Sequence, residues 1–189
     1  GYDRKVCNPV KEIIICDSVG IIHKGRTDMN KYKAELSRIT NRQNRTGNLA
    51  DALEGADAFI GVSKGGLLKK EMIKRMSNEP IVFSMANPVP EIMPVEAAEA
   101  GAAIVGTGRS DFPNQINNSL SFPGVFRGAL DAKATRINNE MKLAAAYALS
   151  GTIKPSKNQI LPDMFDRNVV KNVSAAVAKA AIETGVVRE

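Results

Sequence analysis

Short apolar runs alternate with helical patterns along this chain. Glu12-Ile13-Ile14-Ile15-Cys16 is a continuous run that ends at Asp17, and Ala58-Phe59-Ile60-Gly61-Val62, Ile81-Val82-Phe83-Ser84 and Ala102-Ala103-Ile104-Val105 repeat the type. Runs this short, apolar at successive positions and rich in β-branched residues, predict strands buried on both faces. Between them, Asn48 is placed to cap a helix over Leu49 to Glu54, and Met72, Ile73 and Met76 keep helical spacing within Lys69 to Met76. Pro94 opens a helix over Val95 to Ala100, which Gly101 stops. After Phe122-Pro123-Gly124 the pattern turns helical. One helix is expected from Val125 through Ala134 and Arg136 to Leu149, with Met141, Ala145, Ala148 and Leu149 on one face, until Ser150-Gly151 breaks it. A second is expected over about Val169 to Thr184, where Val169, Val173, Val177 and Ala180 make a packing face, and Asn158 to Asp166 forms an irregular connection.

Strands alternating with helices predict βαβ units and a parallel sheet, that is, an α/β fold of the Rossmann-like doubly wound kind with C-terminal helices. The polar chemistry sits at the ends of the strands. Asp17-Ser18 follows the first run, Ser63-Lys64-Gly65-Gly66 the second, Asn87 the third and Thr107-Gly108 the fourth. Ligands of open α/β sheets bind beyond the carboxyl ends of the strands, so these four segments are expected to meet at one cleft. Two asparagine sites stand out there: Asn87 in Ala86-Asn87-Pro88, and Asn117-Asn118 at the end of the segment that begins at Thr107. An amide offers a donor and an acceptor without charge, so paired Asn side chains suit a substrate with both a carboxylate and a hydroxyl. From spacing alone, a plainer reading is open: Asn87 caps a turn before Pro88 and Asn117-Asn118 brace the start of a helix.

A dinucleotide fold supplies a glycine loop, GxGxxG, after its first strand and an acidic residue about 20 residues later. The 16 residues before Asp17 hold a single glycine, so that loop does not occur here. If Asp17 is the ribose-binding acid, the chain begins after the first strand and its glycine turn, and reads as a fragment truncated at its N-terminus. We expect a partial dinucleotide-binding domain over residues 1–150 and a helical extension over 151–189. Because the first strand is central in the usual order, the segment alone is expected to be poorly soluble unless another copy or an upstream segment fills the gap.

Composition narrows the classes. With 43% hydrophobic and 24% charged residues the chain can bury a substantial core, which excludes disordered and fibrous classes. No apolar run reaches the ~18 residues of a membrane span, and the N-terminus has no secretory apolar region, so a cytoplasmic location is expected with no membrane partner. The net charge of +6 is spread over helix faces and loops without interleaved aromatics, which argues against nucleic acid. Cys7 and Cys16 lack metal-ligand spacing and are read as free thiols. His23, the sole histidine, is read as a turn residue. Arg109-Ser110-Asp111 has neither a nearby histidine nor a nucleophile elbow, so a hydrolase is not expected, and Asp111 is read as an ion-pair partner of Arg109.

Taken in order, Ile15-Cys16-Asp17-Ser18-Val19-Gly20-Ile21-Ile22 with Lys24-Gly25-Arg26, Gly61-Val62-Ser63, Ala86-Asn87-Pro88-Val89-Pro90-Glu91, the segment from Thr107 to Asn118, and Phe122-Pro123-Gly124-Val125-Phe126-Arg127-Gly128-Ala129-Leu130-Asp131 closely resemble malic enzyme. The resemblance spans nearly the whole chain and reaches Phe165-Asp166-Arg167-Asn168-Val169, similar to a pattern near the C-terminus of short bacterial members. It implies the nicotinamide-binding half of an enzyme that oxidises (S)-malate with NAD or NADP and decarboxylates the intermediate to pyruvate and CO2, using Mg or Mn. By motif, Asn87, Asn117 and Asn118 are the implied malate contacts, and Asp17, Ser18, Gly61, Val62, Ser63 and Asn87 the implied cofactor contacts. The acid–base Tyr and Lys and the metal carboxylates are implied to lie upstream, with no catalytic or metal-binding residue in this chain, and a homo-oligomer is implied. Asp17 favours NAD, because a 2′-phosphate there would meet like charge, although Ser18, Lys24 and Arg26 leave NADP possible. Lys64-Gly65-Gly66 departs from the family pattern at that point. Another nicotinamide-dependent dehydrogenase and a non-enzymatic nucleotide-binding module are the alternatives.

Overall fold

The computed structural model describes residues 10–188. Cys7 and the first residues therefore lie outside it. Three of the four apolar runs form strands, β1 (Ala58–Gly61), β2 (Ile81–Ser84) and β3 (Ile104–Thr107), all parallel in the order β1-β2-β3. Their register sets Gly61, Ser84 and Thr107 side by side at the carboxyl ends. The helices are α1 (Lys31–Ile39), α2 (Leu49–Leu53), α3 (Lys70–Ile73), α4 (Pro94–Glu99), α5 (Phe122–Asp131), α6 (Asn139–Ser150) and α7 (Arg167–Glu183), with a 3-10 turn over Asn118–Leu120. Asn48 caps α2 as expected, accepting from Ala50 N and Asp51 N while the Asp51 carboxylate accepts from Asn48 N.

Two expectations fail. Residues 12–16 form no strand: Cys16 makes one antiparallel bridge to Ile21, and Ile13 and Ile15 each give a carbonyl to one neighbouring segment, at Asn41 N and Ile22 N. An apolar run has strand composition, but a strand exists only where a second backbone completes its ladder. The helix expected from Val125 to Leu149 is two helices. Between α5 and α6 the chain turns through Lys133 at φ +51°, and Thr135 N donates to Val186 O, which draws residues 134–135 toward the end of α7. Asn138 then caps α6 by accepting from Met141 N.

The apolar residues gather in two cores. One lies against the sheet, where Leu53, Phe59, Leu68, Ile73, Val82, Ile92 and Ala97 are buried among α2, α3 and α4. The other is helical and unites α5 and α6 with α7 through Met141, Ala145, Val169, Val173 and Val177. Glycine makes the second possible. A Cβ at Gly124 would stand 2.6 Å from Val173 Cβ, and one at Gly128 2.4 Å from Ser174 O, so α5 lies on α7 at backbone contact. Asn114 ties the sheet to the connection between α6 and α7: its amide donates to Val105 O in β3 and to Lys157 O, and accepts from Ile160 N.

Cys16 is half-buried beside Asp17, and burial, with the neighbouring carboxylate adding to it, pushes its thiol up to about 11. The thiolate is the reactive form. Cys16 is therefore expected to alkylate far more slowly than a free thiol at neutral pH, which mass spectrometry after brief iodoacetamide treatment would check.

Candidate functional site

Because the strands are parallel, the segments leaving β1, β2 and β3 emerge at one edge, and the first two are laced together there. After the last ladder bond, Met85 N to Gly61 O at 2.9 Å, the chains following β1 and β2 diverge. Gly66 N then donates to Pro90 O and Leu68 N to Glu91 O. Ser63 N and Ala86 N donate to the two oxygens of the Glu91 carboxylate, at 2.8 and 3.0 Å. Gly65 packs against Val89, whose Cβ would lie 2.7 Å from an added Cβ, and Gly66 has φ +70°. The Lys64-Gly65-Gly66 departure from the family pattern is thus a fitted turn: glycine 65 makes room and glycine 66 supplies the left-handed backbone.

Gly61, one of the implied cofactor contacts, also makes room within the chain, since a Cβ there would stand 2.5 Å from the Glu91 carboxyl carbon. Val62 and Ser63 are exposed beyond it. Asn87 is exposed, follows Ala86 through the turn, and carries a cis bond to Pro88. Its amide makes no hydrogen bond among the described residues, so the plain turn-cap reading does not account for it.

The third wall follows β3. The chain folds back so that Ile116 N donates to Thr107 O at 2.7 Å, and Gly106 has no Cβ to obstruct Ile116. Asn117 then returns to the strand end. Its amide donates to Gly108 O at 3.2 Å and accepts from Ser119 N at 3.0 Å, capping the 3-10 turn. Asn118, next in sequence, is exposed and its amide has no partner among the described residues. The two asparagines are therefore unlike: Asn117 braces the loop, and Asn118 is presented by it. Arg109 and Asp111 form the expected ion pair, bidentate at 2.8 and 2.6 Å, and the Arg109 guanidinium lies over the Phe112 ring.

Asp17 and Ser18 belong to another arm. The Asp17 Oδ1 accepts from Val19 N, Gly20 N and Arg26 Nη1, and its Oδ2 from Arg26 Nη2 at 3.0 Å and Lys33 Nζ at 2.6 Å. Arg26 is also held by Asp28. The Arg26 hydrogen bonds above all, aided by Lys33 and the two backbone donors, hold the Asp17 carboxyl well below the usual carboxylate range. A carboxylate has about four lone-pair sites, and five donors already surround this one. Ser18 beside it is exposed. His23 serves its turn, accepting from Gly25 N at Nδ1.

Sequence reasoning missed Glu91, although it closes the Ala86-to-Glu91 motif. It also missed Lys33, carried on the unforeseen α1. A carboxylate five residues after the motif's first alanine gives no sign of its burial, whereas Asn30, which caps α1 by accepting from Lys33 N, was a readable helix signal. Among the described residues no three His, Cys, Asp or Glu side chains gather as a metal site.

The family model for malic enzyme, NAD binding domain, matches residues 5–184. The chain is 54% identical over 183 residues to the bifunctional malic/malolactic enzyme of Bacillus subtilis, covering 95% of this chain and 45% of that protein. It is 46% identical over 201 residues to the NADP-dependent malic enzyme of Rhizobium meliloti, covering 96% of this chain and 26% of that one. The crystal structure of the NAD-dependent malic enzyme from Thermotoga maritima superposes with a TM-score of 0.86 at 48% identity, covering 89% of this chain and 45% of that chain. The chain thus spans less than half the length of these relatives. A parallel sheet with its polar loops laced at the carboxyl edge, matched by this family's model almost end to end, leaves one conclusion: the chain belongs to the malic enzyme family, as its NAD-binding domain.

Proposed function

We propose that the protein carrying this chain oxidises (S)-malate with NAD and decarboxylates the product to pyruvate and CO2. The observation that carries this reading is a pair of exposed amides without a partner among the described residues, Asn87 and Asn118, on loops leaving neighbouring strands at the carboxyl edge of the sheet. Each amide can donate to a malate carboxylate or accept from its hydroxyl, without adding charge that would compete in the transfer of a hydride. Asn117 supports the pair by fixing the loop. Ser63 and Val62, exposed beyond β1, are the proposed neighbours of the nicotinamide ribose, with Gly61 beneath them and Asn87 reaching both ligands.

The cofactor supplies the hydride acceptor when bound, and the residues present fit it: polar, accessible loops at the carboxyl edge and a charged arm at Asp17 and Ser18 for the distal ribose. Five donors crowd the Asp17 carboxylate, so a ribose hydroxyl would have to displace one of them. Arg26 and Lys33 also answer its charge, so a 2′-phosphate would not face a bare anion. NAD remains the proposed cofactor, and the ratio of NAD to NADP turnover tests that choice. The described residues offer no donor set for Mg or Mn, so we propose that the metal and the acid–base Tyr and Lys are held outside this chain. A cytoplasmic homo-oligomer completes the proposal; no described helix is long and apolar enough to cross a membrane.

The test is malate-dependent NADH formation with pyruvate release by the full-length protein, with Mn added. No turnover despite bound NAD would refute the reading. Asn118→Ala should raise the KM for malate about tenfold, the loss of a hydrogen bond to a charged group, with the thermal midpoint unchanged. Asn117→Ala should raise the KM and lower the midpoint together, because its amide also caps a turn. Equal behaviour of the two variants would overturn the distinction.

A further inference from the structure

Among the described residues at the carboxyl edge, Glu91 is an ionisable side chain that is buried and has no substrate role. Its exposure is 0%. No ion pair is made to it among the described residues, and a buried carboxylate without compensating hydrogen bonds is strongly disfavoured. Its oxygens are divided between two loops: Oε1 accepts from Ser63 N and Oε2 from Ala86 N. The backbone ladder between β1 and β2 ends one step earlier, at Met85 N to Gly61 O. The side chain therefore takes over where the backbone pairing stops. A direct ladder bond would keep the two chains at strand spacing and close the crevice. A carboxylate between them satisfies both N–H groups while holding them apart by its own width.

We propose that Glu91 is a positioning residue, a wedge that sets the separation of the cofactor wall at Ser63 and the substrate wall at Asn87. This rests on the malate-oxidising reading given above. Ser63 donates to one oxygen directly, and Asn87 directly follows the donor to the other. Gly61 completes the device, since any Cβ there would collide with the Glu91 carboxyl group. The Glu91 carbonyl adds a further tie, accepting from Leu68 N at 2.9 Å, so the residue that spaces the loops is itself fixed to the first of them.

Glu91→Gln in the full-length protein tests the wedge. The amide keeps the shape but presents one NH2 in place of an acceptor, so one of the two loop N–H groups loses its partner. The KM values for malate and for NAD are both expected to rise about tenfold, because one spacer serves both walls. A lowered thermal midpoint with both KM values unchanged would overturn the proposal and leave Glu91 as a stabilising residue only. A change in one KM alone would also overturn it. If the variant does not fold, amide exchange on the unmodified protein decides. Ser63 N–H, on an exposed loop, should exchange as slowly as Ala86 N–H, and exchange of Ser63 at the rate of an unprotected loop amide refutes the wedge. Failure of the wild-type protein to turn over malate would refute the enzymatic reading instead, and the exchange result would still stand or fall separately.

Discussion

Gly128→Ala is expected to destabilise the protein by about 2 kcal/mol, although alanine is the better helix former by about 1 kcal/mol. The added methyl would lie 2.4 Å from the Ser174 carbonyl oxygen and 2.9 Å from Val177 Cβ. A backbone oxygen in a neighbouring helix cannot rotate away as a side chain can, so α5 and α7 must separate. Separation loosens the contacts of Val173 and Val177, both fully buried. Urea denaturation of the full-length protein reads the change as a lower midpoint with an unchanged slope. A midpoint equal to that of the unsubstituted protein would mean that the two helices do not pack at this distance.

Asp17→Ala is expected to lower stability near neutral pH and to flatten its acid dependence. The carboxylate joins Arg26, Lys33 and the amides of Val19 and Gly20, and the Arg26 side chain is only 7% exposed. Removing the carboxylate leaves that guanidinium with Asp28 as its ion-pair partner. The sign with pH follows from the depressed acidity. An aspartate carboxyl titrates at about 4 in the unfolded chain and lower than that in the folded one, so its contribution is complete above about pH 4 and fades as pH falls through the folded-state value. Thermal midpoints measured from neutral to acid pH should converge for the two proteins at the acid end. Parallel curves would show that the cluster is not the source of the acid sensitivity.

Much of the sheet was legible because its strands are buried and β-branched. Ile81 to Ser84 forms β2 at the expected bounds, and β1 and β3 differ from expectation by one or two residues. The run at 12–16 has the same composition, yet pairing is a property of two segments, and composition reports only one. Helix α1 was missed for a different reason: Tyr32, Leu36 and Ile39 keep helical spacing behind the Asn30 cap, but the helix fully buries only Ser37 and leaves Tyr32 and Ile39 exposed, so its short stripe marks no packing face. The site divides along the same line. Asn87 and Asn118 were singled out through motif order, and the geometry separates Asn118 from Asn117, which sequence treated alike. Glu91 was invisible because its task depends on two parallel strands bringing Ser63 and Ala86 to opposite sides of one carboxylate. The occupation of Asp17 by Lys33 likewise depends on how α1 lies against the Asp17 turn, a tertiary contact that spacing along the chain does not display.

The division of the apolar interior into two cores has a consequence for the proposed substrate amides. Asn87 is carried by the sheet layer, and Asn118 begins the turn that leads into α5 and the helical layer. Each layer can open with its own local free energy, and the amides then move with different cooperative units. A small dicarboxylate held by both would act as a strut between them, binding only when both are closed and thereby drawing two semi-independent breathing motions into one.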